Sequence, residues 1–298
     1  MIKKLIRRLL LIRDHEKISD GIDRHNVKIK KIVNRKEISE EALFNALESL
    51  GITTGDTVMV HASWRHFYAY DGSPQSFINK LYNLVGPTGT ILMPSFGENL
   101  EYFDVKNTPS RAGVLSEVFR NYKGVIRSEC SHFSVSGIGQ EAEKILITHK
   151  YSEFGFDYNS PYYLITQIPN VKIINLGMGK YPIKTTLVHC VEYPFRQKDK
   201  FFRDYIKIRY KAKIITSEGR SVERDMIKGV PARLSKTNIK KFYKTLPSNS
   251  TKYTKVGNID IRLIIADHAY NHLINLTTKG VHMVSPINET NKNFRSWK

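Results

Sequence analysis

Two cysteines in 298 residues, Cys130 and Cys190, cannot build a disulfide scaffold, and they fit a reducing compartment. The chain is accordingly read as cytoplasmic. No stretch approaches the roughly 18 consecutive apolar residues that cross a bilayer. The opening MIKKLIRRLLLIRD has basic residues and leucines, but neither a long apolar core nor a small-residue cleavage site, which argues against a secretory signal. There is no internal repeat and no low-complexity tract. Acidic residues are scarce: 28 stand against 47 Lys and Arg, leaving a net charge of +19 and a pI near 9.7. Such an excess suits anionic partners such as phosphates, nucleic acid or an acidic membrane face. It suits a solvated Lys-rich surface equally well. Nucleic acid has no motif behind it, since zinc spacings, a basic zipper and an RNA-binding aromatic signature are all missing.

What is present supports a core. Hydrophobic residues make up 41% and aromatics 11%, enough for one large α/β domain or two small ones. The positive charge is clustered. Residues 1–36 hold 12 Lys/Arg against 4 Asp/Glu, and residues 196–213 hold 8 against 2. Ile2, Leu5, Ile6, Leu9 and Leu10 recur at helical spacing with basic residues between them. Residues 1–12 can thus dock on the domain, meet a second copy in a homo-oligomer, or lie on an anionic membrane as a peripheral contact. Residues 13–37 read as a polar connector. The chain divides into a basic segment, 1–36, and a single domain, 37–298.

From residue 39 the elements alternate. Ser39 caps a helix that Gly51 stops; Thr57–His61 is a strand; Ser73-Pro74 opens a helix that runs to Val85; Thr90–Met93 is a strand closed by Pro94. Helices are expected around Val114–Arg120, Glu141–His149, Ser235–Thr245 and Ala266–Leu276, with strands at Val125–Arg127, Ser134–Ile138 and Gly257–Ile264. The alternation predicts a layered α/β fold. Residues 201–213 and 221–226, joined at Ser217-Glu218-Gly219, predict an antiparallel excursion near 197–256, able to act as a flap.

Residues 171–192, VKIINLGMGKYPIKTTLVHCVE, stand out. A β-branched run from Val171 to Leu176 predicts a buried strand, and Gly177 and Gly179 end it. Beyond a lysine-containing loop, Thr186, His189 and Glu192 recur every three residues. On a helix they share one face, just past the carboxyl end of a strand, where open α/β sheets bind ligands. On spacing alone such a His–Glu pair is most often a solvated or structural contact. Cys190 points about 100° away and is read as core.

Several phrases in order resemble the aminoglycoside 3-N-acetyltransferase family. They are Asp56 to Trp64; Val85-Gly86-Pro87-Thr88-Gly89-Thr90 into Met93-Pro94-Ser95; Pro109-Ser110-Arg111 with Gly113, Glu117 and Phe119-Arg120; Arg127-Ser128 before Phe133-Ser134-Val135; Phe154-Gly155 and Ser160-Pro161; Leu176-Gly177 with Thr186, His189 and Glu192; and Gly257 through Arg262. The set spans roughly residues 39–278. The resemblance implies an αβα layered domain with a central mixed sheet, acyl-CoA as donor and a primary amine of an amino sugar as acceptor, without a metal. On the matching positions it implies His189 as general base, Glu192 as its partner and Thr186 near the acyl carbonyl. His61, Ala62 and Ser63 would receive CoA, with Ser95, Arg127 and Ser128 on the same side. Cys130, His132, Ser160 and Lys184 would face the acceptor.

Two departures concern that acceptor side. Cys130 and Ser131 replace the family's His-Pro, with a histidine displaced to His132, and the loop from Gly179 to Thr186 lacks an acidic residue. They shift the expected substrate more than the expected reaction. A net charge of +19 is a poor host for polycationic aminoglycosides. The favoured acceptor is therefore a nucleotide-linked amino sugar of surface polysaccharide, its phosphates met by the basic 196–213 segment. The alternatives are an aminoglycoside acceptor, a covalent route through Cys130, and a non-catalytic anion-binding protein.

Overall fold

The computed structural model describes residues 18–33 and 37–287. The N-terminal apolar stripe and the tail from Asn288 lie outside them. The supposed connector contains a helix, α1 (Ile18–Val33). Its polar composition hides a helical periodicity of isoleucines, and it packs beside the short turn Trp64–His66.

Seven strands form the central sheet, in the order β10-β11-β6-β1-β2-β5-β4. Its middle is parallel: β1 (Thr57–Ala62) lies between β6 (Lys172–Leu176) and β2 (Thr90–Pro94). Antiparallel pairs close both sides, β5 (Val135–Gly139) with β4 (Ile126–Arg127) on one and β11 (Ile259–Ile265) with β10 (Thr251–Val256) on the other. The sheet is therefore mixed, as the resemblance implies. Successive side chains leave opposite faces. Val58, Val60, Ile91, Met93, Ile174 and Leu176 meet the helices α2 (Glu40–Ser49), α3 (Pro74–Val85) and α4 (Val114–Arg120). Met59, Leu92, Val135, Ile173 and Ile264 face the other layer, which includes Lys236–Thr245 and Ala266–Thr278.

Local chemistry explains why these helices start where the sequence says. The Ser39 hydroxyl accepts from the Ala42 amide, and Ser73 and Ser76 form a reciprocal capping box in front of Pro74. Each such cap is worth about 1 kcal/mol. Gly177 ends β6 with φ +64, and a Cβ there would lie 3.0 Å from both the Ser63 carbonyl and the His66 side chain. That close approach brings the ends of β1 and β6 together.

The excursion is narrower than expected. β7 (Ile206–Ile215) and β8 (Ser221–Gly229) make an antiparallel hairpin, and β3 (Tyr102–Asp104) joins it in parallel. Helices Lys200–Tyr205 and Lys236–Thr245 flank the hairpin, and β10 belongs to the main sheet. The hairpin does not cover the ends of β1 and β6. Ala212, Ile214 and Met226 pack with Phe103, Val105 and Cys130 in a core of their own. Lys207, Arg209, Lys211 and Lys213 occupy the alternate, exposed positions. These four cations of the basic cluster are thus a solvated strand face, and no residue of 196–213 is among the described residues that line the cavity at the strand ends, so the expectation that the segment meets substrate phosphates is corrected.

Candidate active site

The three central parallel strands end together, and their carboxyl ends open on a cavity of about 760 Å³. Its lining includes His61, Ala62, Ser63, Trp64 and Arg65 after β1, Pro94 and Phe96 after β2, and Met178, Lys184, Thr186 and His189 after β6. The stretch Arg111 to Val114, at the start of α4, and Phe133 complete the side walls.

Thr186–His189 is a single 3₁₀ turn rather than the α-helix expected, and Glu192 opens the next helix, Glu192–Arg196. Three residues per turn eclipse positions i and i+3, so the spacing still stacks Thr186, His189 and Glu192. His189 Nδ1 lies 2.6 Å from Glu192 Oε1. Glu192 is 1% exposed, and its Oε2 has no protein partner. An almost fully buried carboxylate beside one imidazole nitrogen sets the tautomer: Nδ1–H donates, and Nε2 keeps its lone pair for a proton from outside. Phe156 stacks on the ring at 4.9 Å and fixes its plane.

The second pair spans two strand ends. His61 Nε2 is 2.8 Å from Thr186 Oγ1, and the Thr186 amide points at the same nitrogen from 3.4 Å. The amide contact asks for the proton on Nδ1, but Nδ1 is buried without a partner. A proton on Nε2 would strand the Thr186 amide in turn, so Nε2 stays the acceptor and the neutral ring carries its proton on Nδ1. The Thr186 hydroxyl, 2.8 Å away, donates to the same nitrogen. Burial pulls His61 down to about 4, which keeps it neutral near pH 7. Ser63 Oγ is held 3.0 Å from His66 Nδ1.

Of the residues expected to contact ligands, His61, Ala62, Ser63, Lys184, Thr186 and His189 line the cavity. Others have partners inside the protein instead. The Ser95 carbonyl accepts from Arg127 Nη2 and from Ser134 Oγ at 3.1 Å, and its hydroxyl accepts from Ser136 Oγ at 2.8 Å. Arg127 also donates to the carbonyls of Val105 and Thr108, at 3.1 and 2.7 Å, over the Phe103 ring. Ser128 Oγ meets His149 Nδ1 at 2.8 Å, and Ser160 caps Pro161–Leu164. His132 Nδ1 accepts from the Gly155 amide among three phenylalanines, and burial drops it to about 3. The Cys130 thiol donates to the His132 carbonyl, and burial pushes it up to about 12, far from the thiolate a nucleophile needs. Cys190 is fully buried in the core, as read. Trp64, Arg65, Phe96, Arg111, Phe133 and Met178 are cavity residues that sequence reasoning missed as site residues. Their only signal is proximity to motif positions. Among the described residues, no three His, Cys, Asp or Glu side chains gather around a common metal position.

A mixed sheet that delivers a His–Glu pair and a second, neutral histidine to adjoining strand ends defines an α/β protein with a candidate acid–base site. The profile of the aminoglycoside 3-N-acetyltransferase family matches residues 59–278. The chain belongs to that family. It is 35% identical to aminoglycoside N(3)-acetyltransferase IV of Salmonella sp over 107 residues, which is 35% of this chain and 41% of the relative. It is 29% identical over 160 residues to the aminoglycoside N(3')-acetyltransferase-like protein YokD of Bacillus subtilis (strain 168), covering 45% and 58%. It is 27% identical over 180 residues to aminoglycoside N(3)-acetyltransferase III of Pseudomonas aeruginosa, covering 53% and 65%. These matches span less than two thirds of the relatives' length. The fold is that of aminoglycoside acetyltransferase AAC(3)-IVa in complex with a gentamicin, with a TM-score of 0.68 at 24% identity over 84% of this chain and 92% of that one. It is also that of AAC-IIIb in its binary complex with CoASH, with a TM-score of 0.69 at 23% identity over 83% and 99%. Among the described residues no helix is long and apolar enough to cross a membrane.

Proposed function

We propose that this chain is an acetyl-CoA-dependent N-acetyltransferase acting on an amine of an aminoglycoside. The observation that carries the reading is the His189–Glu192 dyad, 2.6 Å apart at the floor of a ligand-sized cavity. The relatives' names, CoASH on one structural neighbour and gentamicin on another support donor and acceptor. In the reaction the amine nitrogen bonds to the thioester carbonyl carbon, and His189 Nε2 takes the amine proton. Glu192 stabilises the imidazolium that forms. The Thr186 hydroxyl turns from His61 to the carbonyl oxygen as negative charge develops there. The carbon–sulfur bond breaks, and its electron pair leaves on sulfur. Arg65 and Arg111 suit the donor's phosphates. An adjoining cavity of about 510 Å³ shares Arg111 and adds Glu98 and Asp104, carboxylates of the kind a polycation needs.

A nucleotide-linked amino sugar is the second reading. Among the described residues, the side chains that line the main cavity include three cations, Arg65, Lys184 and Arg111, the last paired with Glu98 at 3.2 Å, and no carboxylate. Steady-state thiol release with gentamicin and with UDP-glucosamine decides between them. Preference for gentamicin by kcat/KM is expected. Preference for the nucleotide sugar reverses the choice of acceptor, and the absence of CoA binding removes the enzyme reading altogether.

A further inference from the structure

Phe133 is a non-glycine residue held at positive φ, +63. A bulky side chain is rarely found there, and the conformation persists only where the surroundings over-determine it. Here both flanks are pinned. On one side the His132 carbonyl accepts from the Cys130 thiol, while the Gly155 amide donates to the His132 ring. On the other, the Ser134 carbonyl accepts from the Ser95 amide at 2.8 Å, and the Ser134 hydroxyl donates back to Ser95. The Val135 amide donates to Ser128 Oγ. Several of the residues first expected to touch ligands are thus the clamp that holds Phe133.

The strained residue lines the main cavity. Its ring sits 4.8 Å from Phe96 and 4.6 Å from Phe156, and Phe156 stacks on His189. A continuous aromatic row therefore runs from the cavity wall to the proposed base. The cations Arg65 and Arg111 stand on the loop after β1 and before α4, the Arg111 amide donating to the Phe96 carbonyl at 2.8 Å, and suit charged donor groups. Beside the base, the wall offers a flat apolar ring. Such a surface fits the C–H face of a pyranose and leaves the ring's amine free to turn toward His189 Nε2.

Resting on the proposed transferase reading, we propose that Phe133 is a specificity-determining residue, the platform on which the acceptor sugar lies, and that its strained backbone aims the ring into the cavity. The variants Phe133→Ala, Phe133→Gly and Phe133→Tyr test it, with KM for the acceptor (gentamicin and UDP-glucosamine in parallel), kcat, calorimetric Kd for CoA, and the thermal midpoint. Loss of the ring raises acceptor KM about tenfold or more, leaves CoA Kd within about twofold of the wild type, and is rescued by Tyr. The Gly variant melts at or above the Ala variant, the reverse of the usual order, because Gly accepts φ +63 without strain. Unchanged acceptor KM, or weakened CoA binding in its place, overturns the platform. A Gly variant that melts well below the Ala variant overturns the strain argument. A wild-type protein that binds CoA yet acetylates neither acceptor refutes the proposed transferase reading, and the platform falls with it. Wild-type turnover with indifferent Phe133 variants refutes the platform alone.

Discussion

Replacing Glu192 with Gln is the sharpest test of the dyad. The amide is isosteric, and its oxygen still accepts from His189 Nδ1, so ring position and tautomer survive while the charge goes. The charge matters when His189 becomes cationic. With Nδ1 and Oε1 2.6 Å apart, the charge centres are about 4 Å apart, and at an effective dielectric near 20 the attraction is about 4 kcal/mol. The imidazole is 19% exposed on its cavity side, against 2% for the carboxylate, so water screens part of this. A loss of about 2–4 kcal/mol remains, which is roughly a 30- to 1000-fold fall in kcat. The assay is thiol release under saturating donor and acceptor, with CoA Kd measured by calorimetry on the same sample. CoA affinity should stay near the wild-type value, since Glu192 is buried behind the imidazole. A folded variant that keeps kcat within about threefold of the wild type refutes the assignment of Glu192, because a charge so close to a general base has to be felt at the transition state.

Two further outcomes are expected. His61, His132 and His149 are buried with proton affinities pulled down to about 4, 3 and 3, chiefly by burial. Between those values and the unfolded value near 6.5 the unfolded chain binds more protons than the native one. Stability from these groups is therefore complete above about pH 6.5 and falls as the pH drops, by up to about 1.4 kcal/mol per pH unit for each histidine. Urea midpoints from pH 7 to 4.5 measure the slope, which His149→Gln should reduce; a flat profile contradicts the burial argument. Arg127→Met strands the carbonyls of Val105 and Thr108 and leaves that of Ser95 to Ser134 Oγ alone, and should cost about 2 kcal/mol or more in urea unfolding, with Arg127→Lys recovering part. A neutral result would mean that the guanidinium does not hold the wall that carries Phe96.

Much of the fold is legible in the residues because its signals are local. Ser39, Ser73-Pro74, Gly51 and Gly86 mark helix ends through their own hydrogen bonds and dihedrals. The helix at Val114–Arg120 falls at the expected residues. Helix α1 escapes because charged residues interrupt its stripe, and β10 because Lys252, Thr254 and Lys255 break up its apolar pattern. In the site, His189, Glu192 and Thr186 share a short stretch, and their spacing of three is itself the contact. Ser95, Arg127 and Ser128 do not reach the cavity. Their ordered motifs mark clamps as readily as ligands, and only distances tell the two apart.

The sequence by itself determined the layered α/β class, the strand-then-glycine turn at Leu176-Gly177 and the spacing of Thr186, His189 and Glu192, because caps, glycines and periodicity act over neighbouring positions; that His189 and Glu192 pair is seen in the tertiary structure. Only the tertiary structure decided which charges matter. The second half of the basic run, Lys207 to Lys213, turned out to be the solvated face of a hairpin strand, because alternation sends its cations away from its core. It also joined His61 to Thr186, 125 positions apart, and set Phe133 on a pinned, strained turn beside them. Neither is legible in the residues alone, since parallel strands meet through register and packing rather than through any local code.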